Sequence, residues 1–406
     1  MRILVIGSGG REHAIVRALA GQSHDLHAAP GNPGIAELAE THPETASTPE
    51  GITALARKLQ PDLVVIGPEV PLVAGAADAL AEAGIRCFGP SQRAAQIEGS
   101  KSFAKDVMTE AGIATARSFT CHDKYAVDVA LASFLPPFVV KDDALAAGKG
   151  VLVSSDIDAA RAHAAGCATV VIEEYLDGPE VSLFAICDGT TAVPLLPAQD
   201  FKRARDGDEG PNTGGMGAYT PLPWAPPDLT GQAMEQVILP ALATMARRGT
   251  PYRGLLYAGL ALTASGIRVI EFNARFGDPE AQVLLDRLAS PLADLLYGAA
   301  AGDLAAVPAP RWRDGAAVTV VIAAEGYPEN PVRGDVIRVG ASPDAYVLHA
   351  GTALNSAGEL VSAGGRVLNV VGTGADVAAA RKAAYDLAGA IEMRGGWYRH
   401  DIAGRV

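Results

Sequence analysis

Two oxygen-bearing side chains, Glu271 and Asn273, stand two residues apart at the end of the segment RVIEFN. The β-branched and aromatic residues of that segment predict a buried strand. Because residues i and i+2 of a strand share a face, the strand would present a carboxylate and an amide oxygen side by side. These hard ligands suit Mg²⁺, which binds one or two carboxylates together with substrate phosphates. The alternative is an edge strand with two solvated polar residues.

The turn after this strand carries three further ionisable groups, Arg275, Asp278 and Glu280. Gly277 and Pro279 between them are typical turn residues. The concentration of charge at one strand end indicates a site.

The glycine-rich segment GSGGR at 7–11 follows the first apolar run and opens a helical pattern. Backbone N–H groups at such a helix start can hold a phosphate. A dinucleotide fingerprint is disfavoured, because Glu12 occupies its sixth position and the second strand region, LHAAPGN, has no acidic residue for a ribose. The segment predicts a phosphate site for a smaller ligand. The alternative is a tight turn that needs glycine only for packing.

Two lysines flank a connection between predicted strands. Lys141 ends the run FVVK, and Lys149 lies in the turn AAGKG. This is not a Walker A motif, because Gly150 stands where Ser or Thr is required. We predict that Lys141 makes a fixed phosphate contact and that Lys149 moves with the loop. The alternative for a strand lysine is a solvated edge position.

Two more segments have the composition of ligand-binding loops. Backbone groups of 173–176, after the buried run TVVI, would read an adenine edge, and Glu180 would accept ribose hydroxyls. The segment PNTGGMG at 211–217 predicts a backbone nest for an anion. The first assignment is weak by itself, because acidic residues are common at strand ends.

The order of predicted elements changes twice along the chain. Alternating strands and helices in the first hundred residues predict a parallel doubly wound sheet. Closely spaced strands between Phe138 and Leu196 predict a small antiparallel α+β unit. The segment VPAPRWRDG at 307–315 predicts a linker to a strand-rich remainder.

Composition bounds the class of protein. The 406 residues suffice for several domains, and the net charge of −13 argues against nonspecific nucleic-acid binding and against an anionic membrane surface. Four scattered cysteines without a CxxC pair fit a reducing cytoplasm. We find no leader pattern and no run of 18 apolar residues, and therefore predict a cytoplasmic location. The eight histidines show no metal-ligand spacing, and no motif indicates nucleophilic or zinc chemistry.

Ten segments resemble, in order, those of the ATP-grasp superfamily and, within it, of the glycinamide ribonucleotide synthetase family. Together they span essentially the whole chain. They are GSGGREHA at 7–14, GNP at 31–33, GPEVPL at 67–72, FGPS at 88–91, EGSKSFAK at 98–105, LAAGKG at 145–150, EEYLDGPE at 173–180, DFKR at 200–203, GPNTGGMGAYTP at 210–221 and EFNARFGDPE at 271–280.

The resemblance implies a multidomain fold of mixed α/β and α+β class. It divides the chain into a Rossmann-like N-terminal domain (1–99), an ATP-grasp domain (100–308) with a lid-like subdomain at about 121–187, and a mixed strand-rich α/β C-terminal domain (309–406).

The implied activity is ATP-dependent ligation of glycine to 5-phosphoribosylamine through a glycyl phosphate, a step of purine biosynthesis that yields ADP and phosphate. The implied cofactor is Mg²⁺ or Mn²⁺. We expect a monomer whose partners are small molecules only, with no nucleic acid and no membrane.

The resemblance also implies residue roles. Contacts with ATP fall on Lys101, Lys141, Lys149, Glu173, Leu176 and Glu180, and metal ligation falls on Glu271 and Asn273. Contacts with the other substrates fall on Gly9, Gly10, Asn32, Glu69, Thr213, Gly215, Arg275, Gly277 and Asp278. Catalytic roles fall on Arg275, Asp278 and Lys149.

The chain departs from the family pattern at a few positions. Asp142 and Ala144 replace the usual Ala and Gly, Phe201 replaces a His, and the segment after Asp156 is short. These changes affect loop detail and leave the predicted metal and lysine positions intact.

Three rival functions remain at this point. Another ATP-grasp carboxylate–amine ligase is disfavoured by GPNTGGMG together with EFNARFGDPE. A nucleotide sensor without turnover has no need for Glu271, Asn273 and Lys141. A nicotinamide oxidoreductase is disfavoured by Glu12.

Overall fold

The computed structural model describes residues 1–43, 47–145 and 150–405. Lys149 therefore lies outside the described residues, and its predicted mobile role stays a prediction. Among the helices that are described, none is both long and apolar enough to span a bilayer.

The N-terminal region is a five-stranded parallel sheet connected by helices. Its strands lie in the order β3-β2-β1-β4-β5, and the apolar runs RILVIG and LVVI are almost entirely buried, as predicted. Its elements are β1 (Arg2–Gly7), α1 (Gly10–Ala20), β2 (Asp25–Pro30), a 3-10 turn (Ile35–Glu37), β3 (Glu40–Thr41), α2 (Pro49–Leu59), β4 (Leu63–Ile66), α3 (Glu69–Val73), α4 (Ala76–Glu82), β5 (Cys87–Phe88) and α5 (Gln92–Gly99).

A smaller antiparallel unit follows. Its four strands lie in the order β6-β9-β7-β8, with an apolar core of their own under two helices. Its elements, with the helix that leads into it, are α6 (Lys101–Ala111), β6 (Ser118–Cys121), α7 (Lys124–Ala132), β7 (Phe138–Asp142), β8 (Val151–Ser154), α8 (Ile157–Ala165) and β9 (Val170–Glu173).

The central region carries the second antiparallel sheet. Its elements are β10 (Glu180–Asp188), β11 (Ala192–Pro194), β12 (Gln199–Asp200), β13 (Arg203–Arg205), a 3-10 turn (Asp206–Asp208), β14 (Glu209–Asn212), β15 (Gly217–Thr220), α9 (Leu229–Ala233), a π-turn (Met234–Ile238), α10 (Leu239–Arg247), β16 (Arg253–Thr263), β17 (Gly266–Asn273), α11 (Glu280–Arg287), α12 (Leu292–Ala301) and a 3-10 turn (Leu304–Ala306).

The predicted lid-like subdomain at about 121–187 covers strands of two different sheets, and its bounds stay a prediction. Strand β10 pairs with β16 over its whole length in the central sheet β11-β10-β16-β17, whereas the small sheet ends at Glu173. Strand spacing in the sequence does not reveal which sheet a strand joins, because pairing depends on distant segments. The boundaries after residues 99 and 308 stay predictions.

The C-terminal region completes a sheet that begins earlier in the chain. Strands lie in the order β12-β15-β18-β23-β20. Two strands from before residue 308 thus share a sheet with three from after it, and β15 pairs with β18 across that boundary. The remaining elements are β18 (Ala316–Ala323), β19 (Ile337–Arg338), β20 (Ala345–His349), β21 (Thr352–Leu354), β22 (Leu360–Ser362), β23 (Arg366–Gly374), α13 (Val377–Ala388) and β24 (Glu392–Met393).

One apolar core extends through the N-terminal, central and C-terminal regions, together with helix α6. It includes Leu4 of β1, Val107 of α6, Leu256 of β16, Val318 of β18 and Ala380 of α13. The cleft described below is therefore framed by regions that pack against one another.

A β-bulge in β17 decides which way the predicted metal ligands point. Gly259 of β16 pairs with Glu271, but the next residue, Leu260, pairs with Val269, so Ile270 has no partner across the ladder. Without the extra residue, simple alternation would place Glu271 on the same core-facing side as buried Val269. The bulge turns Glu271 and Asn273 toward the cleft.

Candidate active site

A cleft of about 870 Å³ lies where the N-terminal region, the small antiparallel unit, the central sheet and the C-terminal region meet. Its wall contains most of the residues that the sequence predicted to bind ligands. These are Glu69, Lys101, Lys141, Glu173, Leu176, Glu180, Thr213, Glu271, Asn273, Arg275, Gly277 and Asp278.

The predicted metal pair lies side by side in this cleft. Asn273 Nδ2 is 3.5 Å from Glu271 Oε1, and a half-turn of the amide places its oxygen beside the carboxylate instead. Burial would raise the pKa of Glu271, but Lys202, Lys141 and Lys101 lower it below its usual value. Glu271 therefore presents a charged carboxylate to the cleft.

Two further carboxyl groups stand near the pair. Glu280 is buried and accepts a hydrogen bond from Ser182 Oγ at 3.0 Å. Burial, with Glu280, Glu180 and Glu271 nearby, raises the pKa of Asp200 to about 7 against the opposing effect of Lys202. Such crowding of acidic groups fits a divalent cation, which would relieve their mutual repulsion.

Lys141 and Lys105 share one carboxylate. Lys141 Nζ lies 2.9 Å from Glu173 Oε2, and it donates to the carbonyl oxygen of Ile270 at 3.0 Å. Lys105 Nζ lies 2.8 Å from Glu173 Oε1. Lys105 was not predicted from the sequence, although its position four residues after Lys101 on α6 puts both lysines on one helix face.

Lys101 completes this group of cations. Its Nζ donates to the carbonyl oxygen of Ala144 at 3.0 Å. Burial lowers the pKa of Lys101, and Lys141 adds to the effect, while Glu271 opposes it. The positive charges of Lys101, Lys105 and Lys141 are only partly neutralised by nearby carboxylates, and phosphate oxygens would supply the remaining negative charge.

The predicted ribose ligand, Glu180, pairs with Lys202 at 2.8 Å. Burial alone would lower the pKa of Lys202, but Asp200 and Glu180 raise it well above its usual value. Lys202 therefore stays charged in the cleft, where it interacts with both Glu180 and Glu271.

Arg275 ties the site to the N-terminal region. Its Nε lies 3.3 Å from Glu69 Oε2, and its terminal nitrogen lies 2.9 Å from Glu98 Oε1. Burial would lower the pKa of Arg275, but Glu98 and Glu69 raise it. Glu98 also accepts the Ala274 N–H at 2.6 Å. Glu98 was not predicted as a site residue, although it opens the motif EGSKSFAK.

Asp278 is held from the C-terminal region by Arg366, which was not predicted from the sequence either. Arg366 lies 3.1 Å from Asp278 Oδ2 and donates to the Asp278 carbonyl at 2.6 Å. It donates to the carbonyl oxygens of Gly214 and Gly215 as well. Gly215 adopts a φ of +104° and its α-carbon faces Pro279, so a side chain there would collide with the ring.

The N-terminal glycine loop does not line the main cleft. Glu12 Oε2 accepts the Gly9 N–H at 2.6 Å, and a β-carbon at Gly7 would collide with the Glu12 side chain. A buried carboxylate thus occupies the turn where a dinucleotide pyrophosphate would bind. Gly10 faces inward, because a β-carbon there would collide with the side-chain amide of Asn369.

The side chain of Asn32 is fully engaged inside the protein. It donates to the carbonyl oxygens of Ser8 at 2.8 Å and His349 at 2.9 Å, and it accepts the Ile35 N–H at 2.9 Å. The predicted substrate contacts of Gly9, Gly10 and Asn32 therefore stay predictions, and the structure gives the Asn32 side chain a scaffold role.

The positions that depart from the family pattern have structural partners. Asp142 Oδ1 accepts from the Ala144 N–H at 3.2 Å, and the Ala144 carbonyl oxygen accepts from Lys101 Nζ. Phe201 packs against Tyr219, with ring centroids 6.2 Å apart. These side chains support the loops around the cleft.

Family models match almost the whole chain. Residues 1–98 match the phosphoribosylglycinamide synthetase N domain, residues 99–281 its ATP-grasp domain, and residues 317–405 its C domain. Fold and cleft together define an ATP-grasp enzyme, a class that uses ATP with a divalent metal. Within that class, the chain belongs to the phosphoribosylglycinamide synthetase family, whose curated relatives are named phosphoribosylamine–glycine ligase. The sequence resemblance is confirmed.

Individual relatives agree with this assignment. The phosphoribosylamine–glycine ligase of Streptomyces coelicolor is 59% identical, with 100% of this chain and 99% of the relative covered. That of Mycobacterium tuberculosis is 55% identical, with 100% and 98% covered. The crystal structure of the Thermotoga maritima phosphoribosylamine–glycine ligase superposes with a TM-score of 0.87 at 34% identity, covering 99% of this chain and 100% of that one.

A more distant structure shares the fold. The biotin carboxylase domain of the Hydrogenobacter thermophilus 2-oxoglutarate carboxylase has a TM-score of 0.74 at 17% identity, covering 98% of this chain and 91% of that one.

Proposed function

We propose that the cleft ligates glycine to 5-phosphoribosylamine at the cost of one ATP, which is the reaction expected of this family in purine biosynthesis. A glycine carboxylate oxygen attacks the γ-phosphorus of ATP and ADP leaves. The amine of phosphoribosylamine then attacks the acyl carbon of the glycyl phosphate, and inorganic phosphate and a proton are released. The observation that carries this proposal is the side-by-side placement of Glu271 and Asn273 in one cleft with Lys101, Lys141 and Lys202.

Each group of residues has a separate task in this scheme. Lys101 and Lys141 neutralise the ATP phosphates, and Lys105 holds Glu173 in place from the opposite side. Glu180 faces the ribose, and the 173–176 backbone, including Leu176, faces adenine. Lys149 would act from the loop outside the described residues.

The second substrate site lies toward Arg275 and Asp278. Arg275, with Gly277, Thr213 and Gly215 around it, would orient glycine and the transferred phosphoryl group, and Asp278 would position the amine. We assign phosphoribosylamine to the side formed by Glu69 and the N-terminal loop of Gly9, Gly10 and Asn32.

Glu271 and Asn273 would hold Mg²⁺, with Mn²⁺ as a substitute. The ion would supply charge neutralisation and orientation of the terminal phosphates. We further propose a monomer in the cytoplasm that acts on small molecules, with neither nucleic acid nor a membrane as partner. Light scattering of the purified protein checks the monomer.

An isotope experiment tests the reaction class. Glycine labelled with ¹⁸O in its carboxylate should pass one labelled oxygen to inorganic phosphate when ATP and phosphoribosylamine are both present. Alanine and serine in place of glycine serve as controls for substrate choice. Label in AMP, or unlabelled phosphate during turnover, would overturn the acyl-phosphate route.

A further inference from the structure

A second cluster of metal-ligand side chains lies outside the cleft, at the β2–β3 edge of the N-terminal sheet. Within the part of the chain that the structure describes, His27, Glu40 and His42 bring one ligand atom each to within 4.8 Å of one another. His27 Nδ1 and His42 Nε2 are 3.0 Å apart. Glu40 oxygens lie 3.8 Å from His27 Nδ1 and 3.9 Å from His42 Nε2.

Strand pairing brings these residues together. His27 of β2 stands opposite Glu40 of β3 in parallel register, and the His42 N–H donates to the carbonyl oxygen of Ala28 at 2.8 Å, extending the pairing. Glu40 and His42 therefore project on the same side of the edge strand, over His27. The sequence spacing gives no hint of this, because 27 and 40 meet only through the sheet.

The geometry suits a small, borderline-soft cation. Ligands about 2.0–2.1 Å from a tetrahedral ion lie about 3.3 Å apart, so the two nitrogens need only a slight shift and the exposed Glu40 a small rotation. Both imidazoles are buried, at 6% exposed for His27 and 8% for His42. Two histidines and one carboxylate with an open fourth position are a ligand set for Zn²⁺.

A neighbouring carboxylate supports the same function. Asp25 Oδ1 lies 3.4 Å from His27 Nε2, which is buried and has no well-directed hydrogen bond to any residue that the structure describes. Arg2 holds the other Asp25 oxygen at 2.7 Å. A carboxylate behind one ring nitrogen fixes the tautomer that leaves the other nitrogen free for a metal.

We propose that His27, Glu40 and His42 bind a divalent transition-metal ion of the Zn²⁺ class, separate from the ion at Glu271 and Asn273. The ion would join the two-residue strand β3 to β2. It would thereby close the segment from 28 to 41, which carries the scaffold residue Asn32. The spacing of these histidines in the sequence shows no metal-ligand pattern, because residues 27 and 40–42 meet only through strand pairing.

Metal titration of the chelator-treated full chain, without ATP, tests the proposal. A Glu271→Gln background removes the cleft ligand, and the probes are Zn²⁺ by calorimetry and Co²⁺ by visible absorption. We expect one equivalent of metal, with the intense visible bands of tetrahedral Co²⁺. His27→Gln and His42→Gln should each abolish it, and Asp25→Asn should weaken it about 10–100-fold.

A matched pair of exposed variants keeps the test valid should the histidine variants fold poorly. Glu40→Gln should weaken binding and alter the Co²⁺ spectrum, whereas Glu37→Gln, the same change on the same exposed segment, should leave both unchanged. The thermal midpoint should rise with Zn²⁺ for Glu37→Gln and much less for Glu40→Gln. The proposal would be overturned if the Glu271→Gln protein bound no stoichiometric metal. It would also be overturned if Glu40→Gln and Glu37→Gln bound metal equally well.

Discussion

At the scale of single residues, charge in the cleft is set by a few close pairs. Glu173 lies between Lys105 and Lys141, and Glu271 owes its lowered pKa to lysines that outweigh its burial. A change of one side chain therefore alters the charge available to phosphates and metal without disturbing the apolar core.

Glu271→Gln keeps the size of the side chain and removes the anionic metal ligand. We expect turnover to fall by about 10²–10³-fold while the fold survives, because charge neutralisation at the phosphates carries much of the catalysis. Asn273→Ala should be milder at saturating Mg²⁺. ADP release measured against Mg²⁺ concentration checks this, and near-normal activity of Glu271→Gln at limiting Mg²⁺ would refute the metal assignment.

Lys141→Ala should weaken the binding of a non-hydrolysable ATP analogue by about 10–100-fold, the usual magnitude for a charge-assisted contact. Lys149→Ala should lower turnover more than binding, because the sequence predicts a glycine-rich turn there, whose lysine would act on closure. Calorimetry of both variants is the measurement, with the exposed Lys124→Ala as control. An unchanged affinity in Lys141→Ala would remove Lys141 from the ATP site.

At the scale of elements, close approaches of backbone to side chains position the loops. The bulge at Ile270 turns Glu271 and Asn273 toward the cleft. The carbonyl oxygen of Ile270 accepts a hydrogen bond from Lys141 Nζ. The turn after Asn32 is equally constrained, because His13 and His349 pack directly on Gly34.

Gly34→Ala should destabilise the protein by about 1–3 kcal/mol, the range for overpacking a core. A β-carbon there would collide with the His13 ring and stand 2.7 Å from His349 Cγ. Gly21→Ala is the matched control, since its φ is −67° and no atom of the described residues lies within 4 Å of the added carbon. Urea unfolding of both variants decides, and equal stabilities would contradict the packing argument.

At the scale of the whole molecule, the C-terminal region takes part in the site. Arg366 of β23 reaches Asp278 and the 214–215 backbone, and the His349 N–H donates to His13 Nδ1 at 2.8 Å. The first contact positions Asp278, to which we assign a role in the reaction, and the second joins the N-terminal and C-terminal regions.

Arg366→Ala should raise the KM for glycine and lower kcat by about 10-fold or more, because misplacing the loop costs alignment of the reacting groups. Arg338→Ala, which removes an exposed arginine from the same region, should be silent. Steady-state kinetics with glycine as the varied substrate measure both. Normal glycine kinetics in Arg366→Ala would show that the contact is only structural.

His13 makes the joint between these regions sensitive to acid. Burial, with His349 and Arg17 nearby, lowers the pKa of His13 to about 3. Above the unfolded pKa of about 6.5, His13 is neutral in both states and its stabilising contribution is fully present. As the pH falls from 6.5 toward 3, the unfolded chain takes up a proton that the folded protein does not, and this contribution is lost. His13→Asn should therefore flatten the decline of the unfolding free energy between pH 6.5 and 4, by about 3 kcal/mol at pH 4.

Urea unfolding at a series of pH values measures this effect. His122→Asn, at an exposed histidine, is the control and should keep the parental slope. If the unfolding free energy of His13→Asn depended on pH as steeply as that of the unmodified protein, other groups would govern the acid response.

The sequence by itself determined the chemistry and the local elements. The motifs gave the family, and apolar runs such as LVVI predicted their strands because burial of a strand depends on nearby residues. The i, i+2 spacing correctly placed Glu271 beside Asn273. The sequence did not show which sheet Glu180–Asp188 joins, since that depends on its pairing with the distant strand β16.

Only the tertiary structure decided how these parts meet. Glu98 and Arg366 reach the site from distant segments, and Arg366 lies 88 residues from Asp278 in the chain. The direction of Glu271 depends on the bulge at Ile270, and the meeting of His27 with His42 depends on strand register. Periodicity describes neighbours along the chain, whereas these contacts arise from packing between segments that the local pattern does not relate.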